Sequence, residues 1–199
     1  LYDGAEVEQV DRAVSAIGFP VGPVQLMDEV GLDVGRKVTK ILHDAYGDRL
    51  APPAGWEALM TPGRTGRKSG RGFYLYEDGK RTGVDPSVYA TMPPRKEIPS
   101  DVMADRALYM FVAEAIRCLE EDVLTTPIDG DVGGVFGIGF PAQLGGPFHF
   151  VDQKGAAAVV KTLEHLAERH GRRFEPPALL KRMAESSTKF YAVPVWKGE

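Results

Sequence analysis

Arg64, Arg67, Lys68 and Arg71, with Lys80 and Arg81 shortly after them, make the one concentrated run of positive charge in the chain, and glycines at 66, 70 and 72 are threaded between them. Glycine lets a backbone approach a guest closely, and successive N–H groups flanked by cations hold an anion. Arg67, Lys68 and Arg71 are therefore candidates for contacts to the phosphates of a nucleotide-type ligand. Read without a ligand, the same loop is a solvated segment that positions the Phe73-Tyr74 strand after it. It lacks the interleaved exposed aromatics of a nucleic-acid surface.

Asp28 and Asp152 each lie one turn into a helix opened by Gly-Pro, where a carboxylate is favoured by the N-terminal dipole and ties neighbouring N–H groups. A structural role is expected for both. His149 stands beside aromatics near a Gly-rich turn, a setting for a tuned acid–base group, but no carboxylate is at hand to orient it. His165 and His170 are five residues apart, on different faces of a helix, which argues against a metal pair. Cys118 in Ala-Ile-Arg-Cys-Leu reads as core filler on an apolar helix face. Gly130–Gly137 is glycine-rich but follows no hydrophobic strand, so it is not a dinucleotide fingerprint.

The elements that would position these residues are mostly helices. Val7, Val10, Val14 and Ile17 fall at three- and four-residue spacing over 6–17, and Gly18 stops the run. Pro23 suits a first helical position. Asp33 is the expected N-cap of a helix over 34–46, with Val34, Val38, Ile41, Leu42 and Ala45 on one stripe. A short helix is expected around Trp56–Met60, a strand at 73–76, and a Pro-rich charged linker over 77–100. The strongest helix, capped by Ser100 or Asp101, carries Met103, Leu108, Phe111, Ala115 and Cys118 towards Glu121. A Gly-rich turn over 127–139, a turn and a short helix over 140–152, a helix over 155–169 and one opened by Pro176 or Pro177 follow, with a frayed tail after Tyr191.

Bulk properties narrow the function classes. The 199 residues suit one large or two small domains. A composition with 43% hydrophobic and 26% charged residues is that of a soluble globular protein, and no apolar run approaches the ~20 residues of a bilayer span. The 24 Lys+Arg against 28 Asp+Glu provide no global basic field for nucleic acid or anionic lipid. One cysteine excludes an internal disulfide, and a reducing cytoplasm is the expected location.

The chain also repeats itself. Gly22-Pro-Val-Gln-Leu-Met-Asp28 is echoed by Gly146-Pro-Phe-His-Phe-Val-Asp152, each preceded by Gly-Phe-Pro, at 18–20 and at 139–141; Phe73-Tyr74 and Phe190-Tyr191 close the two units. The second copy carries a three-residue insertion at Ala142–Leu144.

Gly-Phe-Pro-x-Gly-Pro-x-x-x-x-Asp-x-x-Gly-Leu-Asp at 18–33, with Gly-Arg-Lys-Ser-Gly-Arg-Gly-Phe-Tyr-Leu-Tyr at 66–76, closely resembles the C-terminal domain of L-3-hydroxyacyl-CoA dehydrogenases. The tandem pair resembles the α-subunit of the multifunctional fatty-acid oxidation complex. The family's acidic residue after Gly-Pro-Phe is replaced by Gln25 and His149. The resemblance implies an all-α fold of two tandem 6-phosphogluconate-dehydrogenase C-terminal-like modules: 1–90, N-terminally truncated, and 91–199, diverged. It further implies NAD-dependent oxidation of L-3-hydroxyacyl-CoA by the full-length enzyme, with NAD and the catalytic His–Glu pair in an upstream dinucleotide-binding domain and no catalytic residue, cofactor or metal in this region. Other implied partners are an acyl-CoA substrate, a homo-oligomer, a thiolase subunit and an upstream hydratase domain. A freestanding CoA-binding or protein-interaction module is the alternative.

Leu1 reads as lying inside the first module, whose long helix would then precede it. The groove left by such a helix is expected to be filled by the helix over 101–121 or by a neighbouring chain.

Overall fold

A computed structural model describes residues 1–191 as nine α-helices, several short 3-10 helices and one two-stranded hairpin. The helices are α1 (Val7–Ala16), α2 (Pro23–Val30), α3 (Leu32–Tyr46), α4 (Trp56–Leu59), α5 (Ser100–Glu120), α6 (Pro127–Val132), α7 (Pro147–Lys154), α8 (Ala156–His170) and α9 (Ala178–Ser186). The expected frayed tail after Tyr191 lies outside the described residues. The all-α class is as the sequence implies, and no helix among the described residues is long and apolar enough to cross a membrane.

Two compact units divide between Ala104 and Asp105, inside α5. The Pro-rich stretch over 77–100 is not a linker. Asp78 (φ 49°) and Gly79 (φ 73°) make the two-residue turn, left-handed at both positions, that closes antiparallel strands without splaying them. Strand β1 (Tyr74–Glu77) therefore pairs with β2 (Lys80–Val84), Tyr74 opposite Val84 and Glu77 opposite Lys80, with a bulge after Leu75. Asp85 and Val88 then enter the core of the first unit. Lys96 N–H donates to Gly4 O, and Ile98, before α5, and Met103, in its first turn, pack with Ala5 and Ala13.

The main core of the first unit joins Val7, Val24, Leu32, Trp56, Leu59, Phe73, Tyr74, Tyr76 and Val88. In the second unit Val112, Ala113 and Ile116 of α5, Phe148 and Val151 of α7, Val159 and Leu163 of α8 and Leu180 of α9 are buried. Tyr109 meets Phe150 edge-on at 5.8 Å, and Phe148 meets Phe190 at 4.9 Å, the arrangement the ring quadrupoles favour.

Three local expectations need correction. Asp33 does not cap α3: Gly31 holds that position at φ 103°, the helix starts at Leu32, and Asp33 turns outward to Lys68. The apolar stripe of α3 is also not packed, for Leu32 is the one buried residue of the helix while Val34, Val38, Ile41 and Leu42 face solvent. Finally, 127–137 is helical rather than a turn. Thr126 Oγ1 accepts from Asp129 N–H, Pro127 takes the first helical position, and α6 runs on into a π-helical turn at Gly133–Gly137.

Candidate functional site

Both Gly-Pro helices lack a capping side chain of their own, because the N-cap is a glycine, so their first N–H groups need an acceptor from elsewhere. In the first unit Asp11 of α1 supplies it: Oδ1 accepts from Val24 N–H at 2.7 Å and Oδ2 from Gln25 N–H at 3.1 Å, while the Tyr74 hydroxyl donates to Oδ2 at 2.6 Å. A Cβ on Gly22 would fall 2.3 Å from the Asp11 carboxyl carbon, which is why glycine stands there. Burial, and then the hydrogen bond to Asp11 and its charge, push the Tyr74 phenol far above its ordinary value, so it stays a donor.

Asp28 does the second tie. Its Oδ1 accepts from Phe73 N–H and its Oδ2 from Tyr74 N–H, both at 2.8 Å, and the Tyr76 hydroxyl donates to Oδ2 at 3.2 Å. The expected structural role is met by donors 45 and 46 residues distant rather than by neighbours within the helix. Burial raises the Asp28 carboxyl above the usual range, against the opposing effect of these bonds and of Arg64.

The basic loop is built around this carboxylate. Gly66, at φ 92°, passes so close to Asp28 that a Cβ would sit 2.3 Å from its carbonyl oxygen, and a Cβ on Gly72 would sit 2.0 Å from Oδ1. The close approach that the glycines permit is thus made within the chain, by Gly66 to the backbone of Asp28 and by Gly72 to its carboxylate. Of the candidate phosphate contacts, Arg67 Nη1 pairs with Glu29 at 2.8 Å, Lys68 Nζ with Asp33 at 2.5 Å and Arg71 Nε with Asp85 at 2.6 Å; each side chain remains about half exposed. The loop so clips the junction of α2 and α3, helped by Leu32 N–H donating to Thr65 O. Arg81 bonds Gln25 Oε1 and lies over the Tyr74 ring, 4.6 Å from its centroid.

Arg64 is no member of a surface patch. It is 6% exposed, donates to Gly72 O and to Ser87 Oγ, and pairs with Asp85 at 2.8 Å. Asp85, itself 3% exposed, also accepts from Ser87 N–H at 2.9 Å. Burial alone would raise its carboxyl, but the bonds from Arg71 and Ser87 and the Arg64 charge prevail and hold it well below the usual carboxylate range.

The second unit repeats the carboxylate pair. Asp131 Oδ1 accepts from Phe148 N–H at 2.7 Å, its Oδ2 from His149 N–H at 3.1 Å and from the Tyr191 hydroxyl at 2.8 Å. Asp152 accepts from Phe190 N–H at 2.9 Å and Tyr191 N–H at 2.8 Å. A Cβ on Gly146 would lie 2.4 Å from the Asp131 carboxyl carbon. The exposed His149 ring lies 6.5 Å from Tyr191, with Nδ1 3.4 Å from Leu144 O. Cys118 is half-buried. No group of three His, Cys, Asp or Glu side chains among the described residues is placed to hold a metal ion.

Asp11, Asp131 and Asp85 escaped the sequence reading. A signal existed for Asp11: it stands four residues after Val7 and three before Val14, an acid on the buried face of its helix. Asp85 gave none, since the Arg64 that compensates it is 21 positions away and surrounded by charges that do face water.

Comparison with known proteins matches the 3-hydroxyacyl-CoA dehydrogenase C-terminal domain to residues 1–76 and again to 103–190. The fatty acid oxidation complex subunit alpha of Shewanella halifaxensis is 47% identical over 96% of the chain, and that of Shewanella amazonensis 46%. The chain spans 28% of the length of either relative. Among solved structures, the dehydrogenase part of multifunctional enzyme 1 from C. elegans is 26% identical with a TM-score of 0.64, covering 90% of this chain and 42% of its own. The 3-hydroxybutyryl-CoA dehydrogenase of Escherichia coli shares the fold, with a TM-score of 0.70 at 21% identity, over 92% of this chain and 55% of its own. The chain belongs to the 3-hydroxyacyl-CoA dehydrogenase family, as its C-terminal domain region.

Proposed function

We propose that residues 1–199 are the helical C-terminal region of an NAD-dependent L-3-hydroxyacyl-CoA dehydrogenase of fatty-acid oxidation, where they close one wall of the acyl-CoA cleft and provide subunit contacts. The observation that carries this reading is the identity of 47% to a fatty acid oxidation complex alpha subunit along nearly the whole chain. The region comprises two tandem copies of one module. Support comes from the recurrence of one carboxylate pair, Asp11 with Asp28 and Asp131 with Asp152, on the same kinds of donor. The described residues do not suit a dinucleotide: their sheet is a two-stranded antiparallel hairpin, and Gly130–Gly137 is helical. NAD and the acid–base residues are accordingly assigned to an earlier part of a longer polypeptide. A homo-oligomer, a thiolase partner and a cytoplasmic location complete the assignment.

The complete polypeptide should reduce NAD with an L-3-hydroxyacyl-CoA, followed by absorbance, while residues 1–199 alone should neither do so nor bind NAD in calorimetry. A complete polypeptide with CoA affinity but without NAD reduction would leave the alternative, a CoA-binding or interaction module.

The half-exposed ends of Arg67, Lys68 and Arg71 favour a second role, contact with CoA phosphates. Replacing all three by glutamine should then raise KM for acyl-CoA about tenfold with little change in kcat, because remote phosphate contacts act as uniform binding. An unchanged KM would restrict the loop to its ion pairs with Glu29, Asp33 and Asp85.

A further inference from the structure

The first unit holds α3 only at its start. Leu32 N–H donates to Thr65 O, and Asp33 and Arg36 pair with Lys68 and Glu57; after Arg36 every residue of the helix except Thr39 is exposed. A helix of 15 residues that contains Gly35 and the β-branched Val34, Val38, Thr39 and Ile41 is marginal by itself in water. Its apolar side chains are also ordered. Val34, Val38, Ile41 and Ala45 stand at spacings of four, three and four, the seam along which two helices pair, and Val38 is 47% exposed and Ile41 64%.

The second unit separates this seam from ordinary packing. On the tandem reading proposed above, α8 is the counterpart of α3: it too has 15 residues, follows a Gly-Pro helix and starts after a glycine of positive φ. Counted from the two starts, the seam positions of α3 become Ala158, Thr162, His165 and Arg169 in α8. The residues that α8 does bury, Val159, Leu163 and Leu166, correspond to Gly35, Thr39 and Leu42. The first unit therefore carries an apolar face that its fold does not use.

The charges beside the seam complement themselves. Lys37 has no ion-pair partner among the described residues, and Asp44, two turns further on, borders the same side of the seam. A second α3 laid antiparallel, about a two-fold axis level with Lys40, sets Val38 over Ile41, Val34 over Ala45 and Lys37 of each copy beside Asp44 of the other. Asp44 already meets Lys40 at 2.7 Å, but that pair is well exposed and contributes little.

We propose that α3 is the pairing helix of a two-fold dimer, seated antiparallel on α3 of a second copy. One helix face falls short of the roughly 800 Å² per partner of a standard interface, so the dimer should dissociate in the micromolar range. Sedimentation equilibrium of residues 1–199 should show monomer and dimer exchanging with concentration, and Ile41→Asp, at an exposed position, should weaken the dimer about tenfold or more without changing the circular dichroism. Two charge reversals test the direction of pairing. Lys37→Glu and Asp44→Lys each place like charges face to face and should weaken self-association several-fold. Mixed in equal amounts they should associate again as a heterodimer, because each antiparallel contact then joins opposite charges. A chain that is monomeric at every concentration, a dimer indifferent to Ile41→Asp, or a mixture no more associated than its components would overturn the proposal. So would a dimer of residues 1–199 that is absent from the complete polypeptide, which would give the seam to an earlier segment. NAD reduction is measured separately, so a failure here leaves the dehydrogenase reading in place.

Discussion

Asp28→Ala should cost the first unit about 3–5 kcal/mol of stability. The substitution strands two buried N–H groups, of Phe73 and Tyr74, and the Tyr76 hydroxyl, and an unsatisfied buried donor costs roughly 1–3 kcal/mol. Set against a typical domain stability of about 5–15 kcal/mol, that is enough to unfold the unit under mild denaturant. Asp152→Ala is the internal comparison. It strands two donors, of Phe190 and Tyr191, in a part-buried setting where water can reach them, so a loss nearer 1–2 kcal/mol is expected. Urea unfolding followed by circular dichroism measures both. A loss below about 1 kcal/mol for Asp28→Ala would mean that Asp28 does not hold the β1 strand to α2.

Asp85→Asn should be comparably damaging, by a different route. Removing one partner of a buried ion pair leaves the other charge uncompensated, at about 3–5 kcal/mol, and Arg64 has little access to water. Its pH dependence separates the charge effect from packing. The folded-state carboxyl of Asp85 lies below its unfolded value of roughly 4, so its contribution is fully present above that value and is lost as pH falls below it. The difference in stability between the native chain and Asp85→Asn should be flat above pH ~5 and shrink steadily below pH ~4. Asp28 runs the other way: its carboxyl is raised on folding, so acidification through that range favours the folded state at that residue. A difference that stays constant into the acid range would show that Asp85 acts through shape rather than charge.

For function, the consequence lies in the basic loop. Its glycines and cations read as a cradle for a phosphate, but the glycines close on Asp28 of the same chain and the cations Arg67, Lys68 and Arg71 pair with Glu29, Asp33 and Asp85. Glycine spacing encodes that a backbone comes close to something, and it cannot distinguish a ligand from a neighbouring helix. What remains for a CoA phosphate is the exposed half of three cations that already have carboxylate partners.

The sequence by itself determined the helical class, nearly every helix, the family and the recurrence of Gly-Pro…Asp. These are written in local periods and in residues whose backbone demands are their own, such as Pro23 and Pro147 at first helical positions. Even some of the missed structure was local: Asp78-Gly79 was a legible hairpin turn inside a stretch whose prolines and charges looked like a linker. The tertiary structure alone decided which acids are structural. Asp11, Asp28 and Asp85 are buried because their partners, Val24 and Tyr74, Phe73, and Arg64, arrive from 13 to 63 residues away. It likewise decided that the α3 stripe is exposed while the similarly patterned α8 is covered by α9. Periodicity states which face of a helix is apolar. Whether that face finds a partner depends on what the rest of the chain brings to it, and burial, which sets the energy of every charge and donor discussed above, is a property of that meeting and not of the residue.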